Sequence, residues 1–150
     1  MQGREFGTEP RRKLMTVVFS DMRGFSSLTD NLEPEEIFQI LNQYHSEMVT
    51  IIHRHDGTLN KIIGDGLLIF FGDPFAVEDH AERAVRMAVD MQREVAQLQN
   101  EWQTFGQPIG VGIGINTGFV TLGSIGSDHF KDYTVIGTQV LAPPTAIGVG

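Results

Sequence analysis

Two aspartates, Asp21 and Asp65, are the residues of this sequence whose type and setting best suit chemistry. Asp21 closes the stretch "VVFSD" and precedes the small residues of "MRGFSS", whereas Asp65 lies between glycines in "KIIGDGLLIFF". A carboxylate at a strand end can bind a divalent cation, and backbone N–H groups of the following loop can bind phosphates. Plain turns explain the same residues, because Asp, Gly and Ser are frequent turn formers. Each motif alone leaves both interpretations open.

The elements that must position the first aspartate follow from hydrophobic periodicity. Residues 14–20 are apolar and partly β-branched, which predicts a short buried strand that ends at Asp21. A helix is predicted from about Pro34 to Gly57, because apolar residues recur on one face and a proline followed by glutamates suits a first turn. The stretch "TLNKIIGDGLLIFFG" predicts two strands hinged at residues 64–66.

The second half of the chain continues the alternation of strands and helices. A second helix is predicted from about Asp79 to Trp102, "IGVGIGINTGFVTLGSIG" as a hairpin turning near residues 116–118, and "YTVIG" as one more strand. This order predicts an α+β fold, a ferredoxin-like sandwich with a mostly antiparallel sheet and two long helices on one face. The hairpin then lies beside the first strand, so Asp65 and Asp21 converge. Two such carboxylates could hold two divalent cations and a triphosphate.

Composition narrows the function classes. A length of 150 residues suits about one domain, and the net charge of −8 argues against binding a nucleic acid polymer through its phosphates. An acidic protein can still handle a polyphosphate through bound cations. The absence of cysteine excludes disulfides and thiolate metal sites. No apolar run approaches a membrane segment, and the polar start has no signal-peptide core, so we expect a cytoplasmic domain.

Five stretches resemble, in the same order, the catalytic domain of the class III adenylyl and guanylyl cyclases. They are "VVFSDMRGFSSL", "HDGTLNKIIGDGLLIFFGDP", "AERAVRMAVDM", "VGIGINTGFVTLGSIGS" and "DYTVIGTQV". On this basis we expect a linker or expression remnant at residues 1–12, the cyclase catalytic domain at residues 13–140 and a divergent or truncated tail at residues 141–150. A diguanylate cyclase or polymerase-palm relative would need a signature such as Gly-Gly-Asp-Glu-Phe, which "IGDG" does not supply.

The resemblance implies a head-to-tail dimer, a homodimer or a heterodimer with another cyclase domain, whose active sites lie between protomers. One protomer would supply Asp21, Asp65 and the backbone carbonyl of Met22 as ligands for two Mg²⁺ or Mn²⁺ ions. The backbone of the following loop would cradle the phosphates of ATP; this loop comprises Met22, Arg23, Gly24, Phe25 and Ser26. The implied reaction is attack of the ribose 3′ oxygen on the α-phosphorus, giving 3′,5′-cyclic AMP and pyrophosphate.

The other protomer would supply Lys61 and Thr138 to the adenine base. Lys61 can only donate a hydrogen bond, which suits adenine N1, and the Thr138 hydroxyl can accept one from the exocyclic amine. Guanine presents the opposite pattern, and guanylyl members of the family carry an acidic residue at the position of Lys61. The pair therefore favours ATP. The resemblance also fits the cytoplasmic part of a larger signalling protein.

The end of the sequence departs from the family pattern. After "VIGTQV" the family continues with Asn, three small or apolar residues and Arg on a helix, but here the text is "LAPPTAIGVG". Without gaps, Leu141 takes the Asn position and Thr145 the Arg position; with one deletion, Pro144 falls on the Arg. Adjacent prolines also disfavour a helix.

In the family, this Asn orients the ribose and this Arg stabilises charge in the transition state. Loss of one such preorganised group typically costs about 10²–10³ in rate. The sequence thus predicts a weakened adenylyl cyclase whose C-terminal part is missing. The alternative is a non-catalytic nucleotide-binding or dimerisation module that regulates a complete partner cyclase.

Overall fold

The computed structural model describes residues 11–73, 76–103, 109–126, 131–136 and 145–147. The helices and strands in these ranges are β1 (Arg11–Arg23), α1 (Phe25–Thr29), α2 (Pro34–Arg54), β2 (Thr58–Ile63), β3 (Gly66–Phe71), α3 (His80–Trp102), β4 (Gly110–Gly126), β5 (Lys131–Ile136) and β6 (Thr145–Ile147). Among the described helices, none has the length and apolar character needed to cross a bilayer.

The strands form one sheet in the order β2-β3-β1-β4-β5, with β6 also paired to β4, and the described pairs are antiparallel. The predicted α+β fold and the predicted position of the hairpin beside the first strand are confirmed. On its β3 side, β1 pairs as far as Ser20 opposite Leu67. On its β4 side it continues to Arg23 opposite Gly110. The prediction that the strand ends at residue 20 is therefore wrong, because pairing with β4 extends it.

Both long helices begin and end close to the predicted residues. At the start of α2, the Glu36 carboxylate accepts a hydrogen bond from the Glu33 backbone N–H (3.0 Å), which caps the first turn. After the last turn, Asp56 adopts a positive φ of 63° that ends the helix. The short helix α1 was not predicted, since its 5 residues are too few to show helical periodicity.

The helices cover one face of the sheet. Alternate residues of β1, including Val18 and Met22, point into a large core shared with α2 and α3. The intervening residues lie on the opposite face, where a smaller cluster contains Met15, Val17, Phe70 and Val120. We call this opposite face the open face. It carries Phe19, which is 37% exposed, and Asp21.

The strand β4 is continuous over 17 residues, so the hairpin predicted near residues 116–118 is wrong. Asn116 and Thr117 pair with Val17 and Thr16 of β1. The Thr117 and Thr16 hydroxyl oxygens are 2.8 Å apart, and this hydrogen bond reinforces the ladder at the expected turn. A long partner strand thus overrides a local Asn-Thr-Gly turn signal. The predicted strand "YTVIG" is confirmed in β5, which begins slightly earlier.

Described residues of both the predicted linker and the predicted tail take part in the sheet. Arg11 and Arg12 already belong to β1, so the end of the predicted linker 1–12 is part of the sheet, while residues 1–10 lie outside the described residues. In the predicted tail 141–150, the described residues 145–147 form β6, which pairs with Ile113–Ile115.

Candidate active site

Asp21 lies where β1 has left β3 but still pairs with β4, opposite Gly112. Its side chain is exposed on the open face. Partial burial and the negative charge of Asp65 raise the pKa of the Asp21 carboxyl, while the Arg23 guanidinium opposes the rise. The structure therefore brings the two carboxylates of the sequence analysis within electrostatic reach of each other.

Asp65 occupies the tip of the β2–β3 hairpin. Gly64, with φ of 60°, supplies the left-handed turn conformation that lets the chain reverse before β3 begins. The Asp65 Oδ2 atom accepts a hydrogen bond from the Met22 backbone N–H (2.9 Å). This bond fixes the hairpin tip against the end of β1 and leaves Asp65 Oδ1 for another partner.

The predicted phosphate loop, residues 22–26, consists of a strand end, one turn residue and a helix start. Met22 and Arg23 belong to β1, Gly24 has a φ of 80°, and Phe25 and Ser26 begin α1. The Met22 N–H is already bound to Asp65, so this amide is committed to shaping the site. The Met22 side chain is buried in the core and anchors the segment.

The Arg23 side chain is a feature that sequence analysis missed, since it considered only this residue's backbone. A Cβ atom placed on Gly112 would lie 2.7 Å from Arg23 Nε and 3.0 Å from Nη2, so the guanidinium lies directly over this glycine. Gly112 is also the residue paired with Asp21. A positive charge therefore sits beside the Asp21 carboxylate on the open face.

Of the two predicted base-recognition residues, Lys61 lies within the described residues and Thr138 does not. Lys61 lies on β2 opposite Leu68, just after a register shift that follows Leu59. Because Leu68 pairs with Phe19, register places Lys61 on the open face, two strands from Asp21. Thr138 lies outside the described residues, as do positions 141 and 144 of the departing tail, and position 145 begins β6.

The donor chemistry of this site fits a hard divalent cation. Carboxylate and carbonyl oxygens are the ligands that Mg²⁺ and Mn²⁺ prefer. The described residues contain no cluster of three or more His, Asp or Glu side chains arranged to hold a metal. A cation beside Asp21 and Asp65 would therefore complete its coordination with backbone carbonyl, water or phosphate oxygens, which is common for Mg²⁺.

A cavity of about 660 Å³ lies elsewhere, between the end of α2 and the start of α3. Its wall includes Arg83, whose guanidinium binds Asp79 (2.7 Å) and Asp56 (2.5 Å). Both carboxylates are already bound to this guanidinium, and β2 separates this end of the molecule from the hairpin tip. We therefore assign the candidate active site to the paired carboxylates.

The α+β sheet presents two neighbouring carboxylates beside a glycine turn, and oxygen ligands of this kind suit divalent cations. The sequence profile of the adenylate and guanylate cyclase catalytic domain matches residues 8–142. The chain therefore belongs to the adenylate and guanylate cyclase catalytic domain family, as its resemblance to class III cyclases implied.

Individual relatives agree with this assignment. The adenylate cyclase of Anabaena cylindrica is 37% identical over 141 residues, which are 91% of this chain and 27% of the relative. The crystal structure of the adenylyl cyclase CyaB from P. aeruginosa superposes with a TM-score of 0.83 at 40% identity, covering 89% of this chain and 70% of that one. The crystal structure of the guanylyl cyclase Cya2 superposes with a TM-score of 0.80 at 41% identity, covering 91% of this chain and 68% of that one. The chain thus spans about a quarter of the first curated relative's length.

Proposed function

We propose that this chain supplies the metal- and phosphate-binding half of a class III cyclase site that converts ATP to 3′,5′-cyclic AMP and pyrophosphate. The observation that carries the proposal is the pairing of Asp21 with Asp65, fixed by the hydrogen bond from the Met22 N–H. Membership of the cyclase family supports the reaction class.

In the proposed reaction, the residues of the site would have separate roles. Two divalent ions, when bound, lower the pKa of the attacking ribose hydroxyl and neutralise charge on the triphosphate. Asp21 and Asp65 would hold these ions, with the Met22 carbonyl as a further ligand. Partial burial, and then the negative charge of Asp65, raise the pKa of Asp21; two carboxylates this close repel each other, so a cation between them is favoured. Backbone N–H groups of residues 24–26 would face the phosphates.

Specificity for ATP is proposed from Lys61 and Thr138. Both an adenylyl and a guanylyl cyclase superpose well on this chain, so the overall fold does not choose between the bases. Lys61 lacks any acceptor, whereas guanine offers a donor at the position where adenine has N1. The position of Lys61 on the open face supports a role at an interface with a second protomer.

A second function is favoured by the departing tail. In an ungapped alignment Leu141 and Thr145 fall where the family carries the ribose-orienting Asn and the charge-stabilising Arg, and with one deletion Pro144 falls on the Arg. A homodimer would lack both groups at each site, so we expect cyclic AMP production near background. The chain would then serve as a nucleotide-binding partner that regulates a complete cyclase.

Calorimetry with Mn²⁺ and a non-hydrolysable ATP analogue tests the metal assignment. Asp21→Asn and Asp65→Asn should each abolish metal-dependent binding of the analogue, because one carboxylate leaves the site underligated. Glu35→Gln is the matched control, since this exposed carboxylate belongs to the first turn of α2. Unchanged affinity in both aspartate variants would refute the assignment.

A mixing experiment separates the two functions. A full-length homologue whose two metal-binding aspartates have been mutated supplies the complementary surface but is inactive alone. Mixed with this chain, it should form one complete site per heterodimer and restore cyclic AMP synthesis. If sedimentation shows heterodimers and the product stays at background, the regulatory function is favoured.

A further inference from the structure

Arg23 carries a guanidinium on the open face that no other described residue binds. Its side chain is exposed, and no hydrogen bond or ion pair joins it to another described residue. The described arginines of the two long helices do form ion pairs; these are Arg54, Arg83, Arg86 and Arg93. The N–H donors of Arg23 are therefore available to a ligand.

The Arg23 side chain leans back towards the carboxylates. Its direct partner on β4 is Gly110, where an added Cβ atom would meet nothing within 4 Å, so the space over that residue is open. The guanidinium instead lies over Gly112, the partner of Asp21. Its Nε and Nη2 atoms are 2.7 and 3.0 Å from the position that a Gly112 Cβ would take. A residue without a side chain thus lets the cation lie beside the candidate site.

The spacing along β1 suits a phosphate group held by a cation at Asp21. Asp21 and Arg23 are two residues apart on one face of the strand, which separates them by about 7 Å. A divalent cation lies about 2 Å from each of its oxygen ligands, and a charge-assisted hydrogen bond spans about 2.8 Å. A phosphate bound to such a cation can therefore reach the Arg23 guanidinium with a second oxygen.

The charge of the site also favours a phosphate-binding cation at this position. Two divalent ions neutralise most of the charge of a nucleoside triphosphate, but Asp21 and Asp65 add two negative charges of their own. Burial and the charge of Asp65 raise the pKa of Asp21, and the Arg23 guanidinium opposes the rise, so its charge acts at this carboxylate. A planar guanidinium is suited to binding two phosphate oxygens at once.

We propose that the Arg23 guanidinium binds the triphosphate of the nucleotide, donating hydrogen bonds to phosphate oxygens beside the cations held by Asp21 and Asp65. This role belongs to the side chain and adds to the backbone contacts proposed for residues 24–26. It rests on the proposed function, because it assumes a nucleotide at the two aspartates. Since the guanidinium contacts neither base nor ribose, it should contribute equally to binding ATP and inorganic tripolyphosphate.

Three calorimetric titrations test this role: Mn²⁺ alone, inorganic tripolyphosphate at saturating Mn²⁺, and a non-hydrolysable ATP analogue at saturating Mn²⁺. Arg23→Ala should weaken binding of both phosphate ligands about 10- to 100-fold, the range for loss of a hydrogen bond to a charged group. It should bind Mn²⁺ alone at least as tightly as the unsubstituted chain does, because a positive charge near the cation is removed. Arg23→Lys should recover only part of the loss, since an ammonium group lacks the planar fork.

Arg12→Ala is the matched control. Arg12 is also an exposed arginine of β1, but it lies eleven residues earlier, and its guanidinium is 5.3 Å from the centroid of the Phe119 ring. The substitution changes the net charge by the same amount at a distance of about 36 Å along the strand, where salt screens its effect. It should leave all three affinities unchanged.

Unchanged tripolyphosphate affinity in Arg23→Ala would overturn the role of the guanidinium. A parallel loss of Mn²⁺ affinity would also overturn it, because Arg23 would then act by holding the carboxylates in place. Equal losses in Arg12→Ala and Arg23→Ala would do the same, since net charge alone would explain them. Failure of the unsubstituted chain to bind Mn²⁺ would overturn the proposed function itself, and the role of Arg23 would fall with it.

Discussion

The buried phenol of Tyr44 should make this domain lose stability at alkaline pH. Its pKa in the folded state is about 12, against an ordinary value of 10.0. As the pH rises, the phenol of the unfolded chain releases its proton before the phenol of the folded chain does. The contribution of Tyr44 is therefore fully present below about pH 10 and is lost as the pH rises towards 12.

The size of this loss follows from the difference between the two pKa values. One pKa unit corresponds to about 1.4 kcal/mol, so the folded state should lose about 1 kcal/mol near pH 11 and up to about 3 kcal/mol above pH 12. Tyr44→Phe should lack this loss. Because Tyr133 and all lysines are common to both proteins, their titration cancels in the difference.

Urea denaturation at several pH values between about 9 and 12 measures the difference directly. We expect the stability of the Tyr44→Phe variant relative to the unsubstituted chain to increase steadily across this range. If the two curves instead run parallel at every pH, the phenol ionises equally in both states and is not insulated from water.

Three further predictions concern other parts of the molecule. Burial raises the pKa of Asp21 above its ordinary 3.8, so its stabilising contribution at low pH is lost as the pH rises through the raised value. Asp21→Asn should thus be more stable than the unsubstituted chain near neutral pH without metal, and a lower urea midpoint would contradict this. Lys61→Glu combined with Thr138→Cys should weaken ATP relative to GTP in a competition assay; an unaltered preference would count against the base assignment. Thr16→Val removes the hydrogen bond to His80 and should lower the free energy of unfolding by about 1–3 kcal/mol, whereas an unchanged urea midpoint would show that this bond adds nothing.

The parts of the fold that sequence predicted well are those with strong local signals. The long helices carry an unbroken apolar face, and the Gly-Asp-Gly tip marks the β2–β3 hairpin. The continuous β4 was missed because Asn116 and Thr117 resemble a turn, while the reason they stay extended is their pairing with β1, about a hundred residues earlier. Pairing with a strand that is distant along the sequence cannot be recognised from the residues of a short segment.

The residues of the candidate site also include some that the sequence predicted and some that it missed. The convergence of Asp21 and Asp65 follows from strand order, so topology alone suggested it. The guanidinium of Arg23 and the hydroxyl of Tyr44 depend on side-chain direction across elements. Tyr44 lies on the buried face of α2, and the signal that the sequence analysis passed over was a phenol at a core position of this helix.

The lack of a side chain at Gly112 affects the electrostatic environment of Asp21. Any larger residue there would push Arg23 aside, since even a Cβ would lie 2.7 Å from its Nε. An arginine side chain can swing away at little cost, so the fold would survive. The Asp21 carboxylate, however, would lose the neighbouring Arg23 guanidinium, which opposes the rise of its pKa. A substitution on β4 that leaves both aspartates untouched would thus change the electrostatics of the site while the fold is kept.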